Sequence, residues 1–311
     1  MKKFYLPLFA AASMMFAVTS CSQEEDFGVS SSDMTTFSVS LNGPIQSRAG
    51  EGSIVNKLYY AVYQGEGEER VHVYPKDNEN NPINGAVSLQ NLSAEVPLPI
   101  LKGETYDIIF WAQNDQNGIY DISNLTSIGV NYNATLSNKE EYDAFYNALN
   151  DFKADNKGHK VELRRPFAQL NLGTSDWDTA KQALKDNNTD PVTHSQVVVK
   201  GLANAFAPLT GVASGNEEAT FNAANITKET FDLTIDNETK TYTNLSLNYL
   251  LVPCEKAPQG TGEYVAISTD EKALVDVTYT LYRGEGNVLF EMEKIGNVPV
   301  QRNYRTNIVG E

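Results

Sequence analysis

Apolar and polar residues alternate along much of this chain. From Phe37 to Leu41 the sequence reads apolar, polar, apolar, polar, apolar, and Asn42-Gly43-Pro44 ends the run. That period of two marks a strand with one buried face. LYYAVYQGEGEERVHVYP, from Leu58, and LVDVTYTLYRGEGNVLFEME, from Leu274, each place a Gly-Glu-Gly turn between two alternating runs of aromatic and β-branched residues. Both predict β-hairpins. Further strands are expected over 94–99, 105–112, 160–163, 169–172, 196–200, 230–235 and 245–252. Helical spacing is rarer. Between Ser137 and Gly158 a capping box (Ser137, Glu140) precedes Tyr142, Phe145, Tyr146, Leu149 and Phe152, which share one face of a helix that would pack on a sheet. A second, short helix is expected from about Asp176 to Lys185, with Trp177, Ala180 and Leu184 inward. Many short strands and one or two short helices predict a mainly β fold of sandwiches rather than a parallel sheet. The pattern changes at Arg164-Arg165-Pro166, which sets expected domains of 36–165 and 166–311.

The first 35 residues stand apart. Residues 1–20 combine Lys2 and Lys3, an apolar run from Leu6 to Val18, and small residues, which is the build of a secretory signal peptide. The run is shorter than the roughly 20 residues a bilayer span requires. Val18-Thr19-Ser20-Cys21 resembles a bacterial lipobox, so Cys21 is the expected lipidation site and several acyl chains there would anchor the protein to a membrane. Ser22-Gln23-Glu24-Glu25-Asp26 resembles an export signal for bacterial surface lipoproteins, and serves equally as a solvated tether over 21–35.

Charge and composition then exclude several functions. With 40 acidic against 24 basic residues the formal net charge is −16, which disfavours nucleic acid as a partner. Cys21 and Cys254 are the two cysteines, and lipid on the first leaves no disulfide. Cys254 lies in the apolar run LNYLLVPCEK and is expected in the core. His72, His159 and His194 show no metal-ligand spacing, and no nucleophile elbow accompanies Thr193-His194-Ser195. Neither Gly-Glu-Gly turn opens a helix that could hold phosphate. KDNENNPING and QNDQNG are acidic loops without the twelve-residue calcium pattern, and read as solvated turns. Trp111 and Trp177 fall in apolar periodic runs and are expected in the core rather than on a binding face. No catalytic residue, metal or cofactor is expected.

Four stretches in order, ELRRPFAQLNLGTSDWD, VVVKGLANAFAPLTG, LSLNYLLVP and NVPVQRNYRTNIVG, resemble signatures of the Bacteroidales fimbrillin superfamily, the type V pilins and their Mfa1-like relatives. The resemblance spans Thr36 to Gly310. It implies two tandem transthyretin-like β-sandwich domains, export as a lipoprotein to the outer membrane through Cys21, and non-enzymatic assembly into surface fimbriae. It also implies a mechanism in which a protease cuts after an arginine, the first strand leaves, and a strand of a neighbouring subunit fills the groove by β-augmentation. Arg48-Ala49, in the glycine-rich LNGPIQSRAGEG, is the expected cut, releasing Phe37, Val39 and Leu41 with the first strand. The alternative is that Arg48 is an ordinary surface arginine and the strand stays. The expected partners are other fimbrial subunits and a host or bacterial surface ligand. Stalk pilins of this family usually carry a further donor strand after the RNYRTNI region, whereas this sequence stops at Glu311, which suits a tip subunit if Arg48 is cut, a lipoprotein that does not polymerise if it is not, or a prematurely ended gene product. A stand-alone surface lipoprotein that binds or processes glycans is the competing function.

Overall fold

The computed structural model describes residues 34–41, 52–226, 229–235, 237–254, 272–284 and 286–310. Among them ten strands precede residue 163: β1 (Thr35–Ser40), β2 (Lys57–Gln64), β3 (Val71–Tyr74), β4 (Gly85–Ser88), β5 (Ser93–Leu98), β6 (Thr105–Gln113), β7 (Tyr120–Asp121), β8 (Ile128–Val130), β9 (Ala144–Lys153) and β10 (Gly158–Glu162). Ten follow: β11 (Phe167–Thr174), β12 (Val192–Leu202), β13 (Ala205–Ala207), β14 (Val212–Ser214), β15 (Glu217–Asn225), β16 (Thr230–Ile235), β17 (Glu238–Leu251), β18 (Lys272–Arg283), β19 (Asn287–Gln301) and β20 (Arg305–Gly310). The one α-helix among the described residues, α1 (Trp177–Asp186), lies between β11 and β12. The protein is mainly β, as the alternation requires, and both predicted hairpins form, as β2–β3 and β18–β19.

Sheet membership changes at the Arg164-Arg165-Pro166 junction. Before it, β10-β1-β5 form a three-stranded sheet and β3-β2-β6-β9, with β4 on β2, form a five-stranded one. After it, β16-β17-β11-β20 and β15-β12-β18-β19 form two four-stranded sheets. A small sheet, β14-β13-β8-β7, takes two strands from each side of the junction.

The five-stranded sheet is covered on both faces. Leu58, Val62, Ile108, Phe110, Phe145 and Leu149 pack toward β1, β5 and β10. Ala61, Tyr63, Ile109, Trp111 and Tyr146 face the other way, into a core that continues through Phe167, Val197, Leu247 and Val277 of the later sheets. Strand β6 is buried from Tyr106 to Gln113 because neighbouring side chains enter different cores.

That double burial overturns one expectation. The segment 137–158 is not a helix: a 3₁₀ turn at Glu140–Tyr142 leads into strand β9, which pairs antiparallel with β6. A strand covered on both faces needs no polar alternation, so its apolar residues fall at helical spacing as readily as at strand spacing. Asp151, at φ 54, and the register shift opposite Tyr106/Ile108 also move Phe152 onto the same face as Phe145 and Leu149. The shorter predicted helix forms as α1, with Trp177 partly buried against the core.

The residues taken for a helix start clamp the two halves together. Asn138 N–H donates to the Leu247 carbonyl at 2.8 Å, and Leu247 N–H donates to Asn138 Oδ1 at 2.8 Å. Ser137 Oγ donates to Asn248 Oδ1 at 2.8 Å, and the Tyr249 hydroxyl to Glu140 Oε2 at 2.6 Å. Beside them the buried Arg165 donates from Nε and Nη2 to the buried Asp143, at 2.7 and 2.8 Å, and stacks 4.4 Å above Phe145. Burial pushes the Asp143 carboxyl up to about 6 against the pull of that guanidinium. The pair fixes the junction with a two-pronged contact.

Candidate functional site

Strand β1 sits in an unusual place for the first strand of a fold. It is the centre of its sheet, antiparallel to β5 with Phe37 opposite Val96, and parallel to β10 with Phe37 opposite His159. The strand alternates buried and part-exposed residues without a break. Thr35, Phe37 and Val39 are fully buried and Leu41 is 7% exposed.

Phe37 fills an aromatic pocket. Its ring centroid lies 5.5 Å from Phe110 of β6, 5.2 Å from Phe152 of β9 and 5.6 Å from His159 of β10. His159 is itself held by Asp155, whose Oδ1 lies 2.8 Å from Nε2, and stands edge-on to Phe152 at 4.9 Å. Such pairs add about 0.5–1.5 kcal/mol each to the burial of the ring.

Backbone contacts hold both ends. Thr36 N–H donates to the Lys157 carbonyl at 3.0 Å, Leu41 N–H to Leu92 at 3.0 Å, and Leu163 N–H to the Ser40 carbonyl at 2.8 Å. Asn156 N–H donates to Thr35 Oγ1 at 3.2 Å. The strands flanking β1 do not pair with each other, so β1 alone makes them one sheet. On the outer strand β5, exposed Pro97 offers no N–H, which blunts an edge that could otherwise recruit another strand.

The other sequence candidates are dispersed. Cys21, Arg48 and Ala49 lie outside the described residues. Trp111 is fully buried with Nε1 donating to Gln113 Oε1 at 2.7 Å, so it presents nothing to a ligand. Cys254 is buried and bridges to Ala213 through its backbone. Among the described residues no three histidine, cysteine, aspartate or glutamate side chains converge to hold a metal. In the loop KDNENNPING, Asp77 Oδ1 instead accepts the N–H groups of Glu79 and Asn81, at 2.9 and 2.8 Å. Sequence reasoning missed the pocket around Phe37. Phe152 was assigned to a helix, and no local signal pairs His159 with a strand so far upstream.

Fold and site together define a mainly β sandwich protein whose first described strand is intercalated between two strands distant in sequence. Residues 29–311 match a family of unknown function (DUF6562), and the chain belongs to that family. No curated protein matches it. Solved structures similar to it include a candidate cell adhesion protein from Bacteroides eggerthii DSM 20697, 10% identical with a TM-score of 0.44 over 90% of this chain and 87% of that one. A candidate adhesin from Bacteroides ovatus ATCC 8483 is 10% identical, with a TM-score of 0.43 over 94% of this chain and 98% of that one. The fimbrial anchor protein Mfa2 from Porphyromonas gingivalis is 9% identical, with a TM-score of 0.39 over 84% of this chain and 82% of that one.

Proposed function

We propose that this protein is a non-enzymatic surface subunit of fimbrial or adhesive type, exported as a lipoprotein through Cys21, in which β1 is a removable strand. The seat of β1 carries the reading. A terminal strand placed centrally, with one apolar face and partners on both sides, can be withdrawn to leave a continuous groove for an incoming strand of the same pattern. Burying Phe37, Val39 and Leu41 contributes about 1.5–3 kcal/mol each, so an empty groove would forfeit much of the roughly 5–15 kcal/mol that holds a typical domain folded. Occupation by a neighbour restores it, which is the driving force of strand exchange. Cleavage at Arg48-Ala49 frees the strand, and residues 36–165 and 166–311 act as the two domains in this scheme. The four fimbrillin-like sequence stretches support the same role, with other subunits as partners and the outer membrane surface as location.

The test is the amino terminus of protein recovered from cells, read by mass spectrometry in membrane-bound and shear-released fractions. Ala49 at the start of the released form is expected. Acylated Cys21 throughout, with none starting at Ala49, would show that β1 stays and that the protein does not assemble by strand exchange.

A further inference from the structure

A second feature lies away from β1, where β3, the loop before β4 and the turn between β7 and β8 enclose a cleft of about 380 Å³. Small-molecule sites occupy about 300–1,000 Å³, so a ligand of one or two rings fits. Tyr63 lines the cleft with its ring 4.8 Å from His72, and is only 5% exposed. Its hydroxyl nevertheless makes no hydrogen bond among the described residues. That hydroxyl is therefore open to bond a polar group that enters the cleft.

The other groups offer both senses of hydrogen bond. Asn84 spends Nδ2 on the Ile122 carbonyl at 2.6 Å, which leaves Oδ1 to accept. Asn124 Oδ1 accepts from the N–H and Oγ1 of Thr126, at 3.0 and 2.8 Å, which leaves Nδ2 to donate. His72 Nε2 lies 3.0 Å from the Tyr74 carbonyl and must donate to it, so Nδ1 is an acceptor in the neutral ring. Arg70 directs Nε and Nη2 at Asp107 Oδ2, at 2.9 and 2.7 Å, and keeps Nη1 to donate. Pro82 and Ile83, both exposed, supply an apolar rim.

This set discriminates among ligand classes. The positive charge of Arg70 is already matched by Asp107, so an anion gains no unpaired cation, and the whole chain carries −16. An apolar ligand would seal Tyr63, Asn84 and Asn124 away from water with nothing to bond, at a cost for each group. A neutral molecule rich in hydroxyls, with a C–H face for Ile83 and Pro82, satisfies all of them. We propose that the cleft formed by Tyr63, Arg70, His72, Asn84 and Asn124 is a binding site for a neutral saccharide unit. This gives the surface role a recognition element that does not depend on whether β1 leaves.

The experiment is saturation-transfer NMR on the purified protein with galactose, mannose and N-acetylglucosamine, and with glucuronate as the anionic comparator. Saturable binding of at least one neutral sugar is expected. Tyr63→Phe, which keeps the ring on His72, should weaken it about three- to tenfold with unchanged melting, and Asn124→Ala should weaken it by a similar factor or more. No saturable binding of any neutral sugar, binding of glucuronate alone, or affinity unmoved by both substitutions would each overturn the assignment.

Discussion

Replacing Phe37 by alanine isolates the contribution of the intercalated strand. The ring is fully buried and meets three other rings at 5.2–5.6 Å, so its removal leaves a cavity walled by Phe110, Phe152 and His159. Phe110 and Phe152 stand on β6 and β9, which pair with each other, so that side of the cavity cannot collapse inward far. Phe→Ala at such sites costs about 3–5 kcal/mol. For a domain of this size each kilocalorie moves the melting point by about 2–4 °C, which gives a drop of about 6–20 °C. Ser38→Ala is the matched control on the same strand. Its side chain is on the solvent face with a hydrogen bond to Glu95, and its loss should cost within about 0.5 kcal/mol. Urea unfolding followed by tryptophan fluorescence measures both, because buried Trp111 of β6 reports on the sheet that packs against β1. A loss below about 1 kcal/mol for Phe37→Ala, or equal losses for both variants, would refute the claim that β1 is held by its buried face.

Asp143→Leu and Arg165→Met should each cost about 3–5 kcal/mol, since each removes one side of a buried charge pair, while the double substitution should cost less than either, as chemical denaturation of all three proteins will show. His72 gives a pH signature: burial lowers its pKa, so between the folded value and about 6.5 the unfolded chain holds more protons. Acidification through that window therefore favours unfolding, and melting curves of His72→Gln against pH should lose this part of the acid limb.

Strands were legible wherever one face meets a core and the other meets solvent. Phe37–Leu41 is such a case, and Thr230–Ile235 alternates part-buried with exposed residues; both form strands at or within a residue or two of the expected bounds. Legibility failed where that asymmetry vanished. Phe145 and Tyr146 of β9 enter opposite cores, and the resulting continuous apolar run imitates a helix. Short strands such as β7 and β13 escaped because two or three residues cannot display a period, and their small sheet is imposed by packing across the junction. The apolar face of β1 could be read from its residues, but its central position could not. That depends on β10, and parallel pairing leaves no hairpin signature in sequence. The cleft at Tyr63 was hidden for a similar reason, because Tyr63, Asn84 and Asn124 come from three separate segments.

The parallel pairing of β1 with β10 also orders events in time. As the chain is synthesised, β1 emerges before either of its neighbours, yet the strand against which Thr36 must register begins only at Gly158. β1 can pair with β5 once residue 98 is made, but its other edge has no partner until β10 emerges. Closing so long a loop carries a large entropic cost, and contacts of this range form late. Among the described strands, the first one made is thus among the last to gain both of its neighbours.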